Sequence, residues 1–279
     1  MTTALLLRLG APLQSWGTQS RFSERDTQLE PSKSGVVAIL CAALGLGRAE
    51  PYVATPTIPK LELTHLAALT MAVRVDREGT KLRDFHTIGG GEAPDWFCEM
   101  HGMKRNREGR FNYGVSKANG NTPDTALSNR HYLSDARFLV ALGAEDSTGA
   151  ALLRECARAL SEPVFPLFLG RKSFVPAEQV LHDAKEPLRS GASLPAILES
   201  EPWEPRGCDV LWNGRPRIDK LRLVVESTED DGFPRADVPI SFAKGDRRFA
   251  TRYVKTDFTG KPIEEYLAKL PTSRKETDA

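Results

Sequence analysis

Residues 4–9 read Ala-Leu-Leu-Leu-Arg-Leu, and residues 31–44 read Pro-Ser-Lys-Ser-Gly-Val-Val-Ala-Ile-Leu-Cys-Ala-Ala-Leu. The first stretch is apolar at nearly every position, which is typical of a central strand covered on both faces. In the second stretch, apolar residues recur at three- and four-residue spacing, with Ser32 as a suitable N-cap and Gly45 as a suitable end. The two patterns predict a first strand at Ala4–Leu9 and a helix from about Ser34 to Leu44.

The periodicity further along the chain continues this strand and helix. It predicts strands at Ala67–Val75 and Ala136–Leu142, a helix at Gly149–Leu160 and a strand at Val164–Leu169. The order strand, helix, strand, strand, helix, strand is that of ferredoxin-like (RRM-like) domains, many of which bind RNA. We therefore expect an α+β fold with a ferredoxin-like body. Additional C-terminal strands at Leu221–Val225, Val238–Phe242 and Phe249–Val254 could extend the same sheet or form a second, related half.

Roughly sixty residues between the second and third strands are rich in Gly, Asn and basic side chains and have little hydrophobic periodicity. Because they lack the apolar residues for a core of their own, we expect an extended hairpin or a partly disordered projection. The expected organisation is a single domain over 1–270, with a core at 1–79 and 132–270, an insertion at about 80–131 and a loose tail at 271–279.

The composition is that of an ordinary globular protein, with 279 residues of which 40% are hydrophobic and 27% charged. The longest apolar stretch, Gly35–Leu46, is too short for a bilayer span, and the N-terminus lacks the features of a secretory signal. We expect a cytoplasmic protein with no membrane contact. Cys98 and His101 have a spacing that zinc uses, but no second ligand pair follows, so we predict no metal, no cofactor and no disulfide scaffold.

The net charge is +1, but the basic residues are unevenly distributed. Residues 99–117 hold five basic and two acidic side chains, a local charge of +3, and residues 244–255 hold five and one, a charge of +4. One such cluster is commonly a solvated face, whereas two favour an anionic partner.

Four segments, in this order along the chain, resemble the Cas-five family of CRISPR proteins. They are Leu7-Arg-Leu-Gly-Ala-Pro-Leu-Gln-Ser-Trp-Gly17 with Pro31-Ser-Lys-Ser-Gly35, then Leu82-Arg-Asp-Phe-His-Thr87, Arg130-His-Tyr-Leu-Ser-Asp-Ala-Arg-Phe138 and Pro166-Leu-Phe-Leu-Gly-Arg-Lys172. The resemblance implies a non-catalytic subunit of a type I-E Cascade surveillance complex in antiviral defence. It implies a thumb at the insertion, which looks longer than the family usually has. It also implies partners: the 5′ handle of the CRISPR RNA (crRNA), the backbone subunit CasC and the large subunit CasA, with target DNA met only indirectly.

Two candidate RNA contacts lie near the first strand and helix. The start of the helix, with Lys33 and Ser34, offers free N–H groups and a positive dipole end for a phosphate, although an ordinary capped helix has the same sequence. Gln14, Ser15 and Trp16 follow the first strand, where they could bond and stack an unpaired base. Trp16 could instead pack in the core.

A second group of candidates marks the base of the insertion. Basic and aromatic side chains there suit a kinked single strand and are expected to lie near one another: Arg83, Phe85, His86, Arg130 and Tyr132. The alternative is that the aromatic rings pack and the arginines are solvated.

Two further groups of basic residues lie later in the chain. Arg171 and Lys172 follow the predicted fourth strand in a turn, where they could reach phosphate. Arg247, Arg248 and Arg252 could contact either RNA or a neighbouring subunit.

Two other functions remain open. A metal-independent endoribonuclease that processes precursor crRNA could use His86, Tyr132 and Lys172 as base, acid and phosphate-binding cation. A protein-only scaffold could direct the basic clusters to acidic subunits. Phosphate-binding loops, His-Glu-x-x-His zinc motifs and Gly-x-Ser-x-Gly elbows are missing from the sequence, which disfavours common ATPases and hydrolases.

Overall fold

The structure is a computed structural model that describes residues 1–18, 23–88, 91–92, 95–100, 102, 112–113, 126–203 and 219–268. Its strands are β1 (Thr2–Gly10), β2 (Leu13–Gln14), β3 (Glu24–Arg25), β4 (Thr70–Arg77), β5 (Thr80–Ile88), β6 (Gly91–Glu92), β7 (Asn112–Tyr113), β8 (Ala126–Ser134), β9 (Arg137–Ala144), β10 (Leu188–Gly191), β11 (Arg222–Ser227), β12 (Phe233–Ser241) and β13 (Arg248–Phe258). Its α-helices are α1 (Lys33–Leu44), α2 (Leu63–Ala68), α3 (Asp95–Met100), α4 (Ser147–Ser161), α5 (Leu194–Ser200) and α6 (Ile263–Ala268). The expected α+β class is confirmed.

The main sheet has seven antiparallel strands in the order β10-β1-β9-β4-β11-β13-β12. β1 lies between two neighbours, and its alternate side chains enter different cores. Leu5 and Leu7 pack in the larger core, which includes α1 and α4, while Ala4 and Leu6 pack in the smaller one with α5. The first strand is therefore confirmed as central and covered on both faces.

The three C-terminal strands join this same sheet. β11 pairs with β4 on one side, with Val224 opposite Val73, and with β13 on the other. Of the two alternatives left open by the sequence, extension of one sheet is the one that the structure adopts.

α1 begins and ends at the two caps that the sequence predicted, whereas α4 begins at Ser147, two residues before its predicted start at Gly149. Ser32 caps α1, its hydroxyl accepting from the backbone N–H of Gly35 at 3.3 Å, and Gly45 ends it at a φ of +80°. The carboxylate of Asp146 accepts from the backbone N–H of Gly149 at 2.7 Å and caps α4 in the same way.

The predicted strand Ala67–Val75 begins later than expected. Residues up to Ala68 belong to α2, and β4 starts at Thr70. The backbone N–H of Glu62 donates to His65 Nδ1 at 3.0 Å in a reciprocal cap that starts the short helix.

The predicted strand Val164–Leu169 is wrong, because this segment has no regular structure. The backbone N–H groups of Val164 and Phe165 donate to Ala43 O and Ala42 O at 3.0 and 3.1 Å. The segment therefore completes the end of α1 instead of pairing in the sheet. The outer edge of β1 pairs with β10.

β5 and β8 form an antiparallel hairpin that runs from the pair Thr80 and Ser134 to the pair Ile88 and Ala126. These strands are the base of the expected insertion. Much of the rest of it, including His101 and residues 103–110 of the basic cluster, lies outside the described residues, as does the tail after residue 268. The division of the chain at about 80–131 stays a prediction.

Cys41 and Cys156 are buried free thiols, as expected, and burial raises the pKa of each to about 12. The described part of the chain contains no cluster of three or more His, Cys, Asp or Glu arranged for a metal. None of the described helices has the length and hydropathy needed to cross a membrane.

Candidate nucleic-acid interface

The hairpin of β5 and β8 presents different side chains on its two faces. Asp84 lies directly opposite Arg130, so even-numbered residues of both strands share one face and odd-numbered residues share the other. β3 pairs with β8 in parallel and places Arg25 level with Arg130. Asp84, Arg130 and Arg25 therefore form a row across three strands.

A third guanidinium group joins this row from a loop of the body. Arg171 Cζ lies over the ring of Tyr132, 4.9 Å from its centroid, in a cation–π contact. Burial lowers the pKa of Arg171, and the nearby charges of Arg130 and Arg25 lower it further. We refer to Arg25, Arg130 and Arg171, together with Tyr132 and Asp84, as the arginine face.

The arginine face carries excess positive charge, because three guanidinium groups and one carboxylate leave +2. Within the described ranges, none of its three arginines forms an ion pair. Other arginines of the body bond carboxylates at 2.6–2.9 Å: Arg74, Arg137, Arg222 and Arg252. The arginine face is thus available to an external anion.

Tyr132 is held in place from three sides. Its hydroxyl donates to Asp84 Oδ2 at 3.1 Å, its ring meets Phe174 edge-on with centroids 4.9 Å apart, and Arg171 covers its face. His86 Nδ1 lies 3.4 Å from the same Asp84 oxygen. The predicted residues His86, Arg130, Tyr132 and Arg171 therefore come together.

A tight turn places Arg171 beside the hairpin. The backbone N–H of Ser15 donates to Leu169 O at 3.1 Å, and that of Phe174 donates to Arg171 O at 2.9 Å. Gly170 has a φ of +99°, and a Cβ there would lie 1.9 Å from Ser15 O. Only glycine fits, because any side chain would push the turn away. Lys172, the next predicted contact, is exposed on this turn.

Arg83 and Phe85 lie on the opposite face of the hairpin. Arg83 Nε and Nη2 donate to Asn129 Oδ1 at 3.0 and 2.8 Å, and Asn129 Nδ2 donates to Glu24 Oε1 at 2.6 Å. Phe85 is 61% exposed. The expectation that all five residues of the hairpin base meet is wrong for these two, because neighbouring residues of a strand point to opposite faces.

The residues after β1 are structural. Trp16 is 1% exposed, its Nε1 donates to Gln14 Oε1 at 3.1 Å, and Gln14 Nε2 donates to Ala136 O at 2.6 Å. Ser15 is buried too. The predicted base contact at Gln14, Ser15 and Trp16 is wrong in this structure. Trp16 packs in the core, which was the alternative interpretation of its position.

The start of α1 is occupied by a carboxylate of the protein itself. Asp237 Oδ2 accepts from the backbone N–H of Lys33 at 2.8 Å, and Lys33 Nζ bonds Glu226 Oε1 at 2.9 Å. Lys33 is 4% exposed. The predicted phosphate site is wrong for Lys33, because Asp237 already neutralises the helix end. Ser34, half-buried beside it, bonds Ser32 at 3.4 Å.

The last basic cluster divides into buried and exposed members. Arg252 is buried and bonds Asp237 through Nε and Nη2 at 2.6 and 2.9 Å, so its prediction as a surface contact is wrong. Arg248 is exposed and bonds Asp246 at 2.9 Å. Arg247 lines a groove of about 700 Å³ that also contains the exposed rings of Phe165 and Phe249.

Arg25 is the functional candidate that the sequence did not single out. It lies in a polar loop between acidic neighbours, Glu24 and Asp26, and no periodicity marks it. Only its pairing in register with Arg130 brings it to the arginine face.

Comparisons with known proteins point in one direction. The family model described as CRISPR-associated protein (Cas_Cas5) matches residues 4–255. The CRISPR system Cascade subunit CasD of Escherichia coli (strain K12) is 28% identical over 181 residues, 62% of this chain and 67% of the relative. A solved chain titled CRISPR RNA-guided surveillance complex superposes with a TM-score of 0.65 at 31% identity, covering 94% of this chain and 92% of the other. Another, titled Crystal structure of Cas protein, has a TM-score of 0.59 at 35% identity, covering 94% and 96%.

Proposed function

The chain belongs to the CRISPR-associated protein (Cas_Cas5) family, and from that premise we propose that it is a non-catalytic, RNA-binding subunit of a type I-E Cascade surveillance complex. In this role it caps the 5′ handle of the crRNA. The sequence likeness to a Cascade subunit and the structural likeness to a chain of an RNA-guided surveillance complex support this assignment.

One observation supports RNA binding more than any other: the three arginines of the arginine face converge without an ion pair among the described residues. Phosphates of a single strand would supply the missing negative charge, and the ring of Tyr132 with its guanidinium cover offers a stacking surface. We propose Arg25, Arg130, Tyr132, Arg171 and His86 as RNA contacts, with Lys172 on the adjoining turn.

The proposed body is ferredoxin-like with a thumb, in a single domain. Supporting this, β10, β1, β9 and β4 are antiparallel neighbours in that order, and β1, α1, β4, β9, α4 and β10 follow one another along the chain in the ferredoxin order. The proposed thumb is the insertion at about 80–131, which begins with β5 and ends within β8.

The proposed partners are the backbone subunit CasC and the large subunit CasA, with target DNA met only through the assembled complex. The groove with Arg247, Phe165 and Phe249 exposes apolar surface on the body, which supports a protein contact there rather than an RNA contact. Since the proposed complex would act on RNA inside the cell, we propose a cytoplasmic location.

The test measures binding of a short RNA carrying the 5′ handle to the chain copurified with its neighbouring subunits. The double variant Arg130→Gln/Arg171→Gln should weaken RNA binding at least tenfold. It should also make the slope of log binding constant against log salt concentration shallower, by about 1 for each phosphate that the variant no longer neutralises. Arg158→Gln is the matched control, since the Arg158 side chain is 56% exposed on α4, bonds Glu155 and belongs to none of the predicted contacts. Binding that does not change with salt would favour the protein-only scaffold and refute the proposal.

One observation favours the endoribonuclease as a second candidate. His86 and Tyr132 share the carboxylate of Asp84 beside three cations, an arrangement that a metal-independent cleavage site could use. Incubation of the purified protein with its repeat RNA, without metal, decides between the two. Specific cleavage that His86→Ala abolishes would establish the enzyme and exclude the binding-only function.

A further inference from the structure

A small cavity opens beside the edge strand of the main sheet. Its volume is about 190 Å³. It is lined by Thr18 and Gln28 from the segment before α1, by the four residues Phe233 to Ala236 at the start of β12, and by Val254 on β13. A water molecule occupies about 30 Å³ of liquid, so the cavity has the scale of a single heteroaromatic ring.

One wall of the cavity is an exposed aromatic ring. Phe233 is 79% exposed, the highest value of any aromatic side chain among the residues whose burial is described. It lies opposite Val254, which is 4% exposed and forms an apolar floor. Leaving a phenylalanine ring in water forgoes favourable burial, so a ring at this position suits a ligand with a flat apolar face.

The remaining walls offer unused hydrogen-bonding groups. Gln28 Nε2 donates to Thr18 Oγ1 at 2.9 Å, which leaves Gln28 Oε1 as an acceptor and the Thr18 hydroxyl as a donor. Arg235 also lines the cavity, and its Nη2 bonds Glu30 Oε1 at 2.7 Å. A ligand in the cavity is therefore offered one acceptor, the Gln28 amide oxygen, and one donor, the Thr18 hydroxyl.

We infer that this cavity binds one unpaired nucleobase of the RNA, stacked on Phe233 and hydrogen-bonded by Gln28 and Thr18. A ring face together with mixed donors and acceptors is how proteins read bases splayed from a single strand. The inference rests on the proposed function.

The position of the cavity agrees with that strand. Gln28 follows Arg25 of the arginine face by three residues, so their Cα atoms are at most about 11 Å apart. A short single strand whose phosphates contact the arginine face can therefore place a neighbouring base in the cavity.

The experiment uses the assembled complex with a series of handle RNAs, each carrying 2-aminopurine at a different position. A base splayed from the strand loses the stacked neighbours that quench it, so the fluorescence of the probe rises at one position on binding, and Phe233→Ala abolishes the rise at that position alone. The same variant should weaken RNA binding about 5- to 100-fold. Gln28→Ala should weaken binding, but the RNA that remains bound should still show the rise in fluorescence, because the ring remains.

Phe258→Ala is the matched control, since Phe258 is 54% exposed on the same sheet and does not line the cavity. If the wild-type complex binds RNA and no position responds to Phe233→Ala, the nucleobase site is refuted and the proposed function stands. If Phe233→Ala impairs only the capture of a protein subunit, the site is likewise refuted. If the wild-type complex binds no RNA, the proposed function itself fails.

Discussion

Replacing Asp237 with alanine removes the carboxylate on which a buried charge network depends. Asp237 is fully buried and accepts two bonds from Arg252 and one from the backbone N–H of Lys33 at the start of α1. Glu226 Oε1 accepts from both Lys33 Nζ and Arg252 Nη1, at 2.9 and 3.1 Å. In the variant, two cations share one carboxylate, and α1 loses the acceptor at its first N–H group.

The expected loss is large for a single side chain. Leaving one member of a buried ion pair without its partner costs about 3–5 kcal/mol, and losing an acceptor at a helix start costs about 1 kcal/mol. The sum, about 4–6 kcal/mol, is comparable with the whole stability of many domains, which is about 5–15 kcal/mol. If the free energy of unfolding falls by about 3 kcal/mol for each molar of urea, the unfolding midpoint of the variant lies roughly 1.3–2 M lower.

Urea unfolding followed by circular dichroism measures this loss. Asp246→Ala is the control, because Asp246 is exposed and pairs only on the surface with Arg248, so its loss should stay within about 0.5 kcal/mol. Adding Arg252→Met to Asp237→Ala removes the stranded charge and should recover at least about 1 kcal/mol. A loss below about 1 kcal/mol in Asp237→Ala, or no recovery in the double variant, would contradict the role of this network.

Three further outcomes are expected. Gly170→Ala should lower RNA affinity at least fivefold in fluorescence anisotropy, because a Cβ at a φ of +99° collides with the backbone and displaces the turn that carries Arg171; wild-type affinity would contradict the positioning of that turn. Trp16→Phe should cost about 1–3 kcal/mol in urea unfolding, because its buried partner loses a donor, and should leave the RNA affinity of the folded protein unchanged; a selective loss of affinity would restore the base-stacking role. The pKa of Asp183 is lowered to about 2, chiefly by the backbone N–H of Glu186, so its contribution to stability is present above pH 4 and is lost as the pH falls towards 2. In Asp183→Asn, the free energy of unfolding should therefore fall less steeply between pH 4 and pH 2 than in the wild type. The same pH dependence in both proteins would count against this assignment.

Elements with strong local signals were predictable from sequence. The apolar run of β1, the capped periodicity of α1 and that of α4 each determine a conformation through neighbouring residues alone, and the structure confirms all three. The segment Val164–Leu169 was mistaken for a strand because an apolar run does not reveal its hydrogen-bond partners. Those partners are the carbonyl groups at the end of α1, about 120 residues earlier.

The site was only partly predictable, for a related reason. Basic and aromatic side chains at the hairpin base were identifiable as residue types, and Arg130, Tyr132 and Arg171 do converge. Whether a cation is free or paired depends on distant partners, however. Lys33 and Arg252 are cationic like the members of the arginine face, but the carboxylates of Glu226 and Asp237 neutralise them.

The linear sequence therefore predicted the two long helices, the central strand, the family likeness and the hairpin with its cationic character, because each of these depends on residues close together in sequence. Strand register settled which side chains share a face, brought Arg25 level with Arg130 and separated Arg83 from both. Long-range packing decided which charges are neutralised inside the protein and which remain for a ligand, since ion pairing acts through space and not along the chain.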